Sequence, residues 1–189
     1  PQNLTIECSK DQHPNGAIDA WLKSAGNGVA EDSCSVVRYS NNFMALSNGC
    51  GGNSTTGSAL VTFTVTDACG NFVTRTATVT VLDRTAPTFT SPAQDSTVEC
   101  GPASMAALNT WLVNHGGARA VDACGSFIWN TPILVNTIEG CGNTVEYVYA
   151  FTATDLCGNT SARTIARFKT SDTTKPLINP TAINTIVDC

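Results

Sequence analysis

The sequence is poor in charge, in histidine and in long apolar runs. Of its 189 residues, 13% are Asp, Glu, Lys or Arg, about half the ~25% typical of soluble domains. The 10 Lys and Arg are scattered and outnumbered by 15 Asp and Glu, which argues against binding to a phosphate backbone. No apolar run approaches the ~20 residues of a membrane span, and no signal-peptide pattern is present. We therefore expect no nucleic-acid partner and no membrane insertion.

Groups that carry catalysis are also scarce. The two histidines, His13 and His115, occupy non-equivalent positions, and neither lies in a nucleophile motif such as G-x-S-x-G. Glu7 and Glu99 each precede a cysteine, but isolated carboxylates do not make a general acid–base pair. No C-x-x-C occurs, which weakens zinc and thioredoxin-type interpretations. We expect no enzymatic activity, and we expect both histidines on the surface.

What the sequence does contain is an internal repeat of about 90 residues. PQNLTIEC, AQDSTVEC and AINTIVDC recur at this spacing, as do VTFTVTDACGN and YAFTATDLCGN, and LDRTAP and SDTTKP. We expect one repeat at 1–86, a second at 87–176, and the first strand of a third at 177–189. Because the pattern is already under way at the first residue, we expect the chain to be a piece of a longer protein.

The hydrophobic period within each repeat is mostly two, which is typical of half-buried antiparallel strands. In VTFTVT (61–66) and VTRTATVTV (73–81), apolar residues alternate with Thr. The D-A-C-G-N segment between them supplies Gly and Asn for a tight turn, so a hairpin is predicted. Strands of this kind, in units of about 90 residues, predict an all-β fold of tandem immunoglobulin-like β-sandwich domains.

One segment of each repeat has helical spacing instead. It contains Trp21 in the first repeat and Trp111 in the second, with Asn15 or Ser104 as candidate N-caps and Gly26 or Gly116 as stops. We predict a short helix after the first strand that buries its Trp in the core. A platform for stacking against sugars is the alternative role for these Trp residues.

Nine cysteines in a Thr-rich, acidic chain indicate disulfides and an oxidising location. Each repeat holds four, which permits three connectivities. In a sandwich with the usual strand order, the first and third face the next repeat, whereas the second and fourth lie at the opposite end. This placement favours two disulfides in each repeat and leaves Cys189 without a partner. The predicted pairs are Cys8 with Cys50, Cys34 with Cys69, Cys100 with Cys141, and Cys124 with Cys157.

The segments TVTDACGNFVTRTATVTVLDRTAP and TVECGPASMAALNTWLVNHGGARAVDACG carry a family resemblance. They resemble the cysteine-bearing, immunoglobulin-like or HYR-like tandem repeats of large Bacteroidetes surface proteins, including giant gliding-motility adhesins of the type IX secretion system. The resemblance covers essentially the whole chain. It implies secretion, display at the cell surface, and a role as a stalk or filament.

The junction between the repeats is the best candidate for a metal site. Asp83 precedes the TAP segment and is expected to reach the loops that carry Asp122 and Asp155 in the next repeat. Three converging carboxylates, with Asn159 and backbone carbonyls, would suit Ca²⁺. Asp32 and Asp67 would serve the preceding junction, and Asp172 the following one. The alternative is that these Asp residues only cap turns through Asx hydrogen bonds.

Two short motifs resemble the O-glycosylation motif of Bacteroidetes and point to Ser96 and Thr173 as attachment sites. Asn3, Asn53 and Asn159 lie in formal N-glycosylation sequons.

Two classes of function remain open. The first is a structural spacer of an extracellular adhesin or filament, whose partners are neighbouring repeats of the same chain and laterally associated copies. The second is an adhesion module that binds surface glycans or a protein. The most divergent stretch, 36–57 against 126–144, fits either specificity or drift.

Overall fold

The computed structural model describes residues 1–8, 14–47, 49–50 and 55–178. Within these ranges the chain is mostly β, with two short α-helices. Neither helix is long and apolar enough to cross a membrane. The elements are β1 Leu4–Glu7, α1 Pro14–Lys23, β2 Arg38–Asn41, β3 Gly57–Thr66, β4 Phe72–Leu82, β5 Thr88–Ser91, β6 Ser96–Glu99, α2 Ser104–Val113, a 3-10 turn His115–Gly117, β7 Arg119–Val121, β8 Phe127–Trp129, β9 Ile133–Glu139, β10 Val145–Phe151, β11 Ala153–Asp155 and β12 Thr164–Ser171.

The principal sheet has the same strand order in both repeats. It runs β1-β4-β3-β2 in the first and β6-β12-β10-β9 in the second. In each, the short first strand lies parallel to the last strand, and the other pairs are antiparallel. The predicted hairpin is confirmed, because β3 and β4 pair from Gly57↔Val81 to Thr66↔Phe72. Two-stranded sheets β11-β8 and β5-β7 complete the pairing of the second repeat.

The two-residue period places one face of each hairpin strand in the core. Val61 and Phe63 of β3 are 0% and 3% exposed, while Thr62 between them is half-buried. Strand β12 alternates in the same way, with Ala166 and Phe168 buried. Burying one such apolar side chain stabilises the fold by roughly 1.5–3 kcal/mol, so this alternation fixes which face of the sheet turns inward.

Both predicted helices form, and each presents its Trp to the sheet. The Trp21 ring packs edge-on against Phe63 at 5.1 Å, and Trp111 packs edge-on against Phe151 at 5.3 Å. The Trp21 indole donates to the backbone oxygen of Gln2 at 2.8 Å, and Trp111 donates at the equivalent place in the second repeat. The role as a core anchor is confirmed for Trp21, which at 3% exposure has no face free for a sugar, whereas Trp111 is only partly buried against its core.

The predicted N-caps are wrong, because both helices begin earlier. Asn15 is the second residue of α1, and Ser104 is the first residue of α2, preceded by Ala103, which makes no side-chain cap. The predicted stops agree with the structure. Gly26 has φ +67°, and its N–H donates to the backbone oxygen of Trp21 at 2.8 Å. Gly116 has φ +63°, and a Cβ there would lie 3.0 Å from the Ala93 methyl group.

Candidate functional site: the junction between the repeats

Two disulfides cross the junction between the repeats. Cys8 is bonded to Cys124 with their Cα atoms 5.8 Å apart, and Cys50 is bonded to Cys157 with a Cα separation of 4.7 Å. The predicted partners Cys8 with Cys50, and Cys124 with Cys157, are therefore wrong. These four cysteines are engaged, but each is bonded to the other repeat.

The prediction chose the wrong partner for each cysteine, but it placed the cysteines at the correct ends of the repeats. Cys8 and Cys50 lie at the end of the first repeat that meets the second, where Cys124 and Cys157 face them. Cys124 is 4% exposed and belongs to the same buried cluster as Ile6 and Cys8. The facing ends of the two repeats share a small apolar contact. Each cysteine sulfur of the first repeat therefore lies next to a cysteine sulfur of the second.

The other four cysteines of the two repeats carry free thiols. The predicted bridges Cys34 with Cys69, and Cys100 with Cys141, do not form. Three of these residues are exposed, and Cys100, which is half-buried, donates its thiol to the backbone oxygen of Asn143 at 3.4 Å. The predicted lack of a partner for Cys189 falls outside the described residues.

Carboxylates shape the turns that hold these cysteines. The Oδ1 atom of Asp122 accepts the N–H of Cys124 at 2.9 Å, and that of Asp155 accepts the N–H of Cys157 at 2.8 Å. Such Asx hydrogen bonds fix a turn without any ligand. Turn capping is confirmed for the whole set, while calcium binding stays a prediction; the capping residues are Asp32, Asp67, Asp83, Asp122, Asp155 and Asp172.

Polar contacts fasten the linker between the disulfides. The backbone N–H of Arg84 donates to Glu7 Oε1 at 2.6 Å, which ties the linker back to the first strand. From the second repeat, the Asn159 side-chain amide donates to the backbone oxygen of Asp83 at 3.1 Å. The Thr55 hydroxyl donates across the junction to the backbone oxygen of Cys124 at 2.9 Å. Contacts from both sides therefore fix the direction of the linker.

Two of the three carboxylates predicted to bind a metal lie close together. One oxygen of Asp83, one of Asp122 and the Cys124 sulfur all lie within 4.8 Å of one another. The sulfur is committed to its disulfide, so carboxylate and carbonyl oxygens are the available ligands. Asp155 is not part of this group, and its two oxygens accept hydrogen bonds from Cys157 and Asn159 in its own turn.

The electrostatics at this point are unfavourable to bare carboxylates. Burial raises the pKa of Asp83, hydrogen bonds from Thr85 lower it in part, and the charges of Asp122 and Asp155 raise it further. Asp122 Oδ2 is buried and has no hydrogen-bond partner among the described residues. An unpaired buried oxygen beside a second carboxylate is costly unless a proton or a cation compensates it.

The predicted glycosylation residues differ in accessibility. Ser96 is half-buried in β6 opposite Phe168. Thr173 is exposed, and its hydroxyl donates to Glu99 Oε2 at 2.6 Å. Hydrogen bonds from Thr173, and then from Thr174, lower the pKa of Glu99 to about 2. Attachment at either residue stays a prediction, and a sugar on Thr173 would replace that hydrogen bond.

One feature missed by the sequence argument is an aromatic stack in the second repeat. His115 lies at the surface, as predicted, but it is half-buried because its ring stacks on Trp129 with ring centroids 4.2 Å apart. Burial lowers the pKa of His115. His13 lies outside the described residues. No periodic signal joins residues 115 and 129, since the contact arises where the 3-10 turn meets β8.

Comparisons with known proteins identify no family. A scan against protein-family models and a search of curated proteins both find no match. Solved structures give distant likenesses only. The chain matches fibronectin(III)-like modules of Clostridium thermocellum CbhA at 12% identity over 76% of this chain and 83% of that one, with a TM-score of 0.27.

Two further likenesses are equally remote. The sialic acid binding region of a Streptococcus sanguinis adhesin matches at 19% identity over 90% of this chain and 46% of that one, with a TM-score of 0.25. Extracellular cadherin domains of protocadherin gamma B7 match at 11% identity over 91% and 51%, with a TM-score of 0.29. The chain thus spans about half of these two proteins. Likeness at this level carries no argument about function.

Proposed function

We propose that this chain is a structural segment of a long extracellular adhesin or surface filament, acting as a disulfide-stabilised stalk. The observation that carries the proposal is the pair of disulfides across the junction. A single peptide linker lets neighbouring modules bend and twist, whereas two additional covalent links at separate points prevent both motions. The proposed role of the segment is to transmit force along the chain and to keep the stalk extended.

The covalent links also support an extracellular location. Disulfides form and persist in oxidising compartments and are rare in a reducing cytosol. The low charge and the Thr-rich outer faces of the hairpin strands suit a segment displayed in the medium.

The stalk proposal predicts a limited extension under force. When the chain is pulled from its two ends, the shortest covalent path passes from Cys8 directly to Cys124 and bypasses the residues between them. Their sequence separation is 116 residues, and an extended chain spans ~3.3–3.6 Å per residue, so a reductant should add roughly 400 Å to the fully unfolded length. Single-molecule force spectroscopy with and without reductant measures the difference.

The control for this measurement is C8S combined with C124S. It leaves the Cys50–Cys157 link, whose separation is 107 residues, so the oxidised variant should still be much shorter than the reduced protein. Equal lengths for oxidised and reduced wild type would contradict the stalk proposal.

As part of this function, we propose Ca²⁺ binding at the junction by Asp83 and Asp122, with Asp155 contributing its charge. The paired carboxylate oxygens, the buried unpartnered Oδ2 of Asp122 and the raised pKa of Asp83 support it. Ca²⁺ accepts carboxylate and carbonyl oxygens in a flexible coordination shell. The ion would remove the repulsion described above and stiffen the junction further.

Calcium is therefore expected to raise the melting midpoint of the wild type. An excess of ~100 times the dissociation constant stabilises by ~2.7 kcal/mol, and 1 kcal/mol moves the midpoint by ~2–4 °C in a chain of this size, so the shift should be roughly 5–10 °C. Asp122→Asn should abolish the shift and melt above the wild type in EDTA, since one buried charge is gone. Calorimetry in calcium and in EDTA measures both effects.

The matched control is Asp172→Asn, because Asp172 occupies the position of Asp83 in the second repeat and caps its own turn in the same way. It should keep the full response to calcium. Identical midpoints in calcium and EDTA for the wild type would remove the ion from the proposal.

Lateral association into filaments is a further element of the proposed role. Strand β9 is the edge of its sheet, and every one of its residues is exposed, including Ile133, Leu134, Val135 and Ile138. A long apolar edge strand offers unpaired backbone groups to another chain. We expect the wild type to sediment as larger species than the Val135→Lys variant, and analytical ultracentrifugation of both proteins measures the difference.

A second candidate function is a glycan- or protein-binding adhesion module. The observation that favours it is the stack of His115 on Trp129, beside a shallow cavity of about 510 Å³ that also includes Tyr149 and Asn130. Aromatic faces beside polar side chains are typical of sugar sites. Binding to a defined sugar on a glycan array, lost in His115→Ala, would favour this function over the stalk alone.

A further inference from the structure

The cysteines mark two kinds of repeat end. The end that carries Cys8 and Cys50 in the first repeat carries Cys100 and Cys141 in the second. The opposite end carries the other two cysteines of each repeat, namely Cys34 and Cys69 in the first and Cys124 and Cys157 in the second. At the internal junction the first kind of end is bonded to the second kind.

The first kind of end has the same local structure in both repeats. The N–H of Cys8 donates to the backbone oxygen of Leu82 at 2.8 Å, and the N–H of Cys100 donates to the backbone oxygen of Ser171 at 2.8 Å. Since β1 and β6 pair in parallel with the last strand of their own repeat, Cys100 leaves its sheet at the point where Cys8 does.

The outgoing linkers also match at this end. Glu7 accepts the backbone N–H of Arg84, and Glu99 accepts that of Thr173, one repeat later. The carboxylate that precedes each cysteine thus directs the chain that leaves the repeat. A following repeat would therefore start from the same geometry as the second repeat does here.

The second kind of end is equally well reproduced. Asp32 Oδ1 accepts the N–H of Cys34 at 2.9 Å, and Asp67 Oδ1 accepts the N–H of Cys69 at 2.8 Å. The equivalent turns of the second repeat hold Cys124 and Cys157 against the first repeat. The two turns are joined, since the N–H of Ala68 donates to Ser35 Oγ at 3.2 Å, and they present exposed thiols.

We infer that the two outer ends are complementary docking surfaces for another repeat of the same kind, closed by two disulfides. Cys100 bonds to the cysteine equivalent to Cys34, and Cys141 bonds to the one equivalent to Cys69, as Cys8 bonds to Cys124 and Cys50 to Cys157 at the internal junction. This inference deepens the proposed stalk function, because it makes every junction of a tandem array doubly cross-linked. The partner used to test it is a second copy of this chain.

The oxidant is a low-molecular-weight disulfide such as oxidised glutathione. A thiolate of one copy attacks it and forms a mixed disulfide, with loss of one glutathione thiolate. The facing thiolate then attacks the protein sulfur and releases the second glutathione. Each new protein disulfide therefore consumes two protein thiols and one oxidised glutathione, and yields two reduced glutathione molecules.

Two complementary variants test the inference, both in a Cys189→Ser background to remove the ninth cysteine. The first carries C34S and C69S and keeps only the Cys100 end. The second carries C100S and C141S and keeps only the Cys34 end. Each is incubated alone and mixed at high concentration with oxidised glutathione, because untethered ends meet only by diffusion.

The mixture should yield a covalent dimer, absent from either variant alone, whose peptide map shows Cys100 with Cys34 and Cys141 with Cys69. Internal bridges within single variants, dimers of one variant with itself, a crossed pairing, or a monomeric mixture would each overturn the inference.

The same peptide maps report on the internal junction. If Cys8–Cys124 and Cys50–Cys157 are present but the mixture gives no dimer, the inference about the outer ends fails while the proposed stalk survives. If the internal pairs themselves are absent, the proposed stalk loses its main support.

Discussion

Cutting the chain once, after Arg84, is expected to leave two fragments that stay together until a thiol reductant is added. Arg84 is an exposed residue of the irregular linker, and limited digestion with trypsin, stopped at the first cut, is used to cleave on its C-terminal side. Cys8 and Cys50 precede the cut, and their partners Cys124 and Cys157 follow it. A non-reducing gel should show one band at full mass, and a reducing gel should show fragments 1–84 and 85–189.

The outcome separates the two disulfide arrangements without ambiguity. Bridges confined to each repeat would let the fragments separate on the non-reducing gel. The control is Arg84→Gln, which removes the cleavage site but keeps the backbone hydrogen bond to Glu7. A second control, C8S with C124S, should still hold the fragments together, because either disulfide suffices.

Local features of the fold could be predicted because they depend on neighbouring residues. The alternation of apolar residues with Thr predicted strands β3 and β4, and the D-A-C-G-N turn predicted that they pair as a hairpin. Helical spacing around Trp21 predicted α1 and its burial. The N-caps failed, because a helix can begin one or two residues before the side chain that best suits its start.

The partners of the cysteines could not be predicted in the same way. Periodicity within a repeat places Cys8 and Cys50 at one end of it, but contains no information on how closely the next repeat approaches. That approach depends on the linker, on the Asn159 contact to Asp83 and on the burial of Cys124 against the first repeat. A signal was nevertheless present, since two cysteines at each end of a repeated unit permit pairing between units.

The candidate metal site was likewise predicted only in part. The sequence predicted that Asp83 would meet carboxylates of the next repeat, and the structure brings it to Asp122. It could not show that Asp155 is occupied by its own turn through Asn159, because a D-x-C-G-N motif has the same letters whether its carboxylate caps the turn or points away.

Removing one junction disulfide is expected to lower stability far more than removing two equivalent free cysteines. The double variant C8S/C124S lacks the Cys8–Cys124 disulfide. In the wild type this bond closes a loop with a sequence separation of 116 residues, or a shorter loop if the path is taken through the Cys50–Cys157 bond. On the chain-entropy model either loop is worth between about 4.5 and 5 kcal/mol, which corresponds to a fall of roughly 10–20 °C in the melting midpoint.

The matched control is C34S with C100S, which removes the equivalent residue at each outer end. Both carry free thiols in this chain, so the change should stay within about 0.5 kcal/mol, as for other surface substitutions. Thermal melts of the oxidised proteins, followed by melts after reduction, decide the matter. Reduction should bring the wild type below the C8S/C124S variant, because it also opens Cys50–Cys157. Equal losses in the two variants would mean that the cysteines act through local packing and that no covalent link spans the junction.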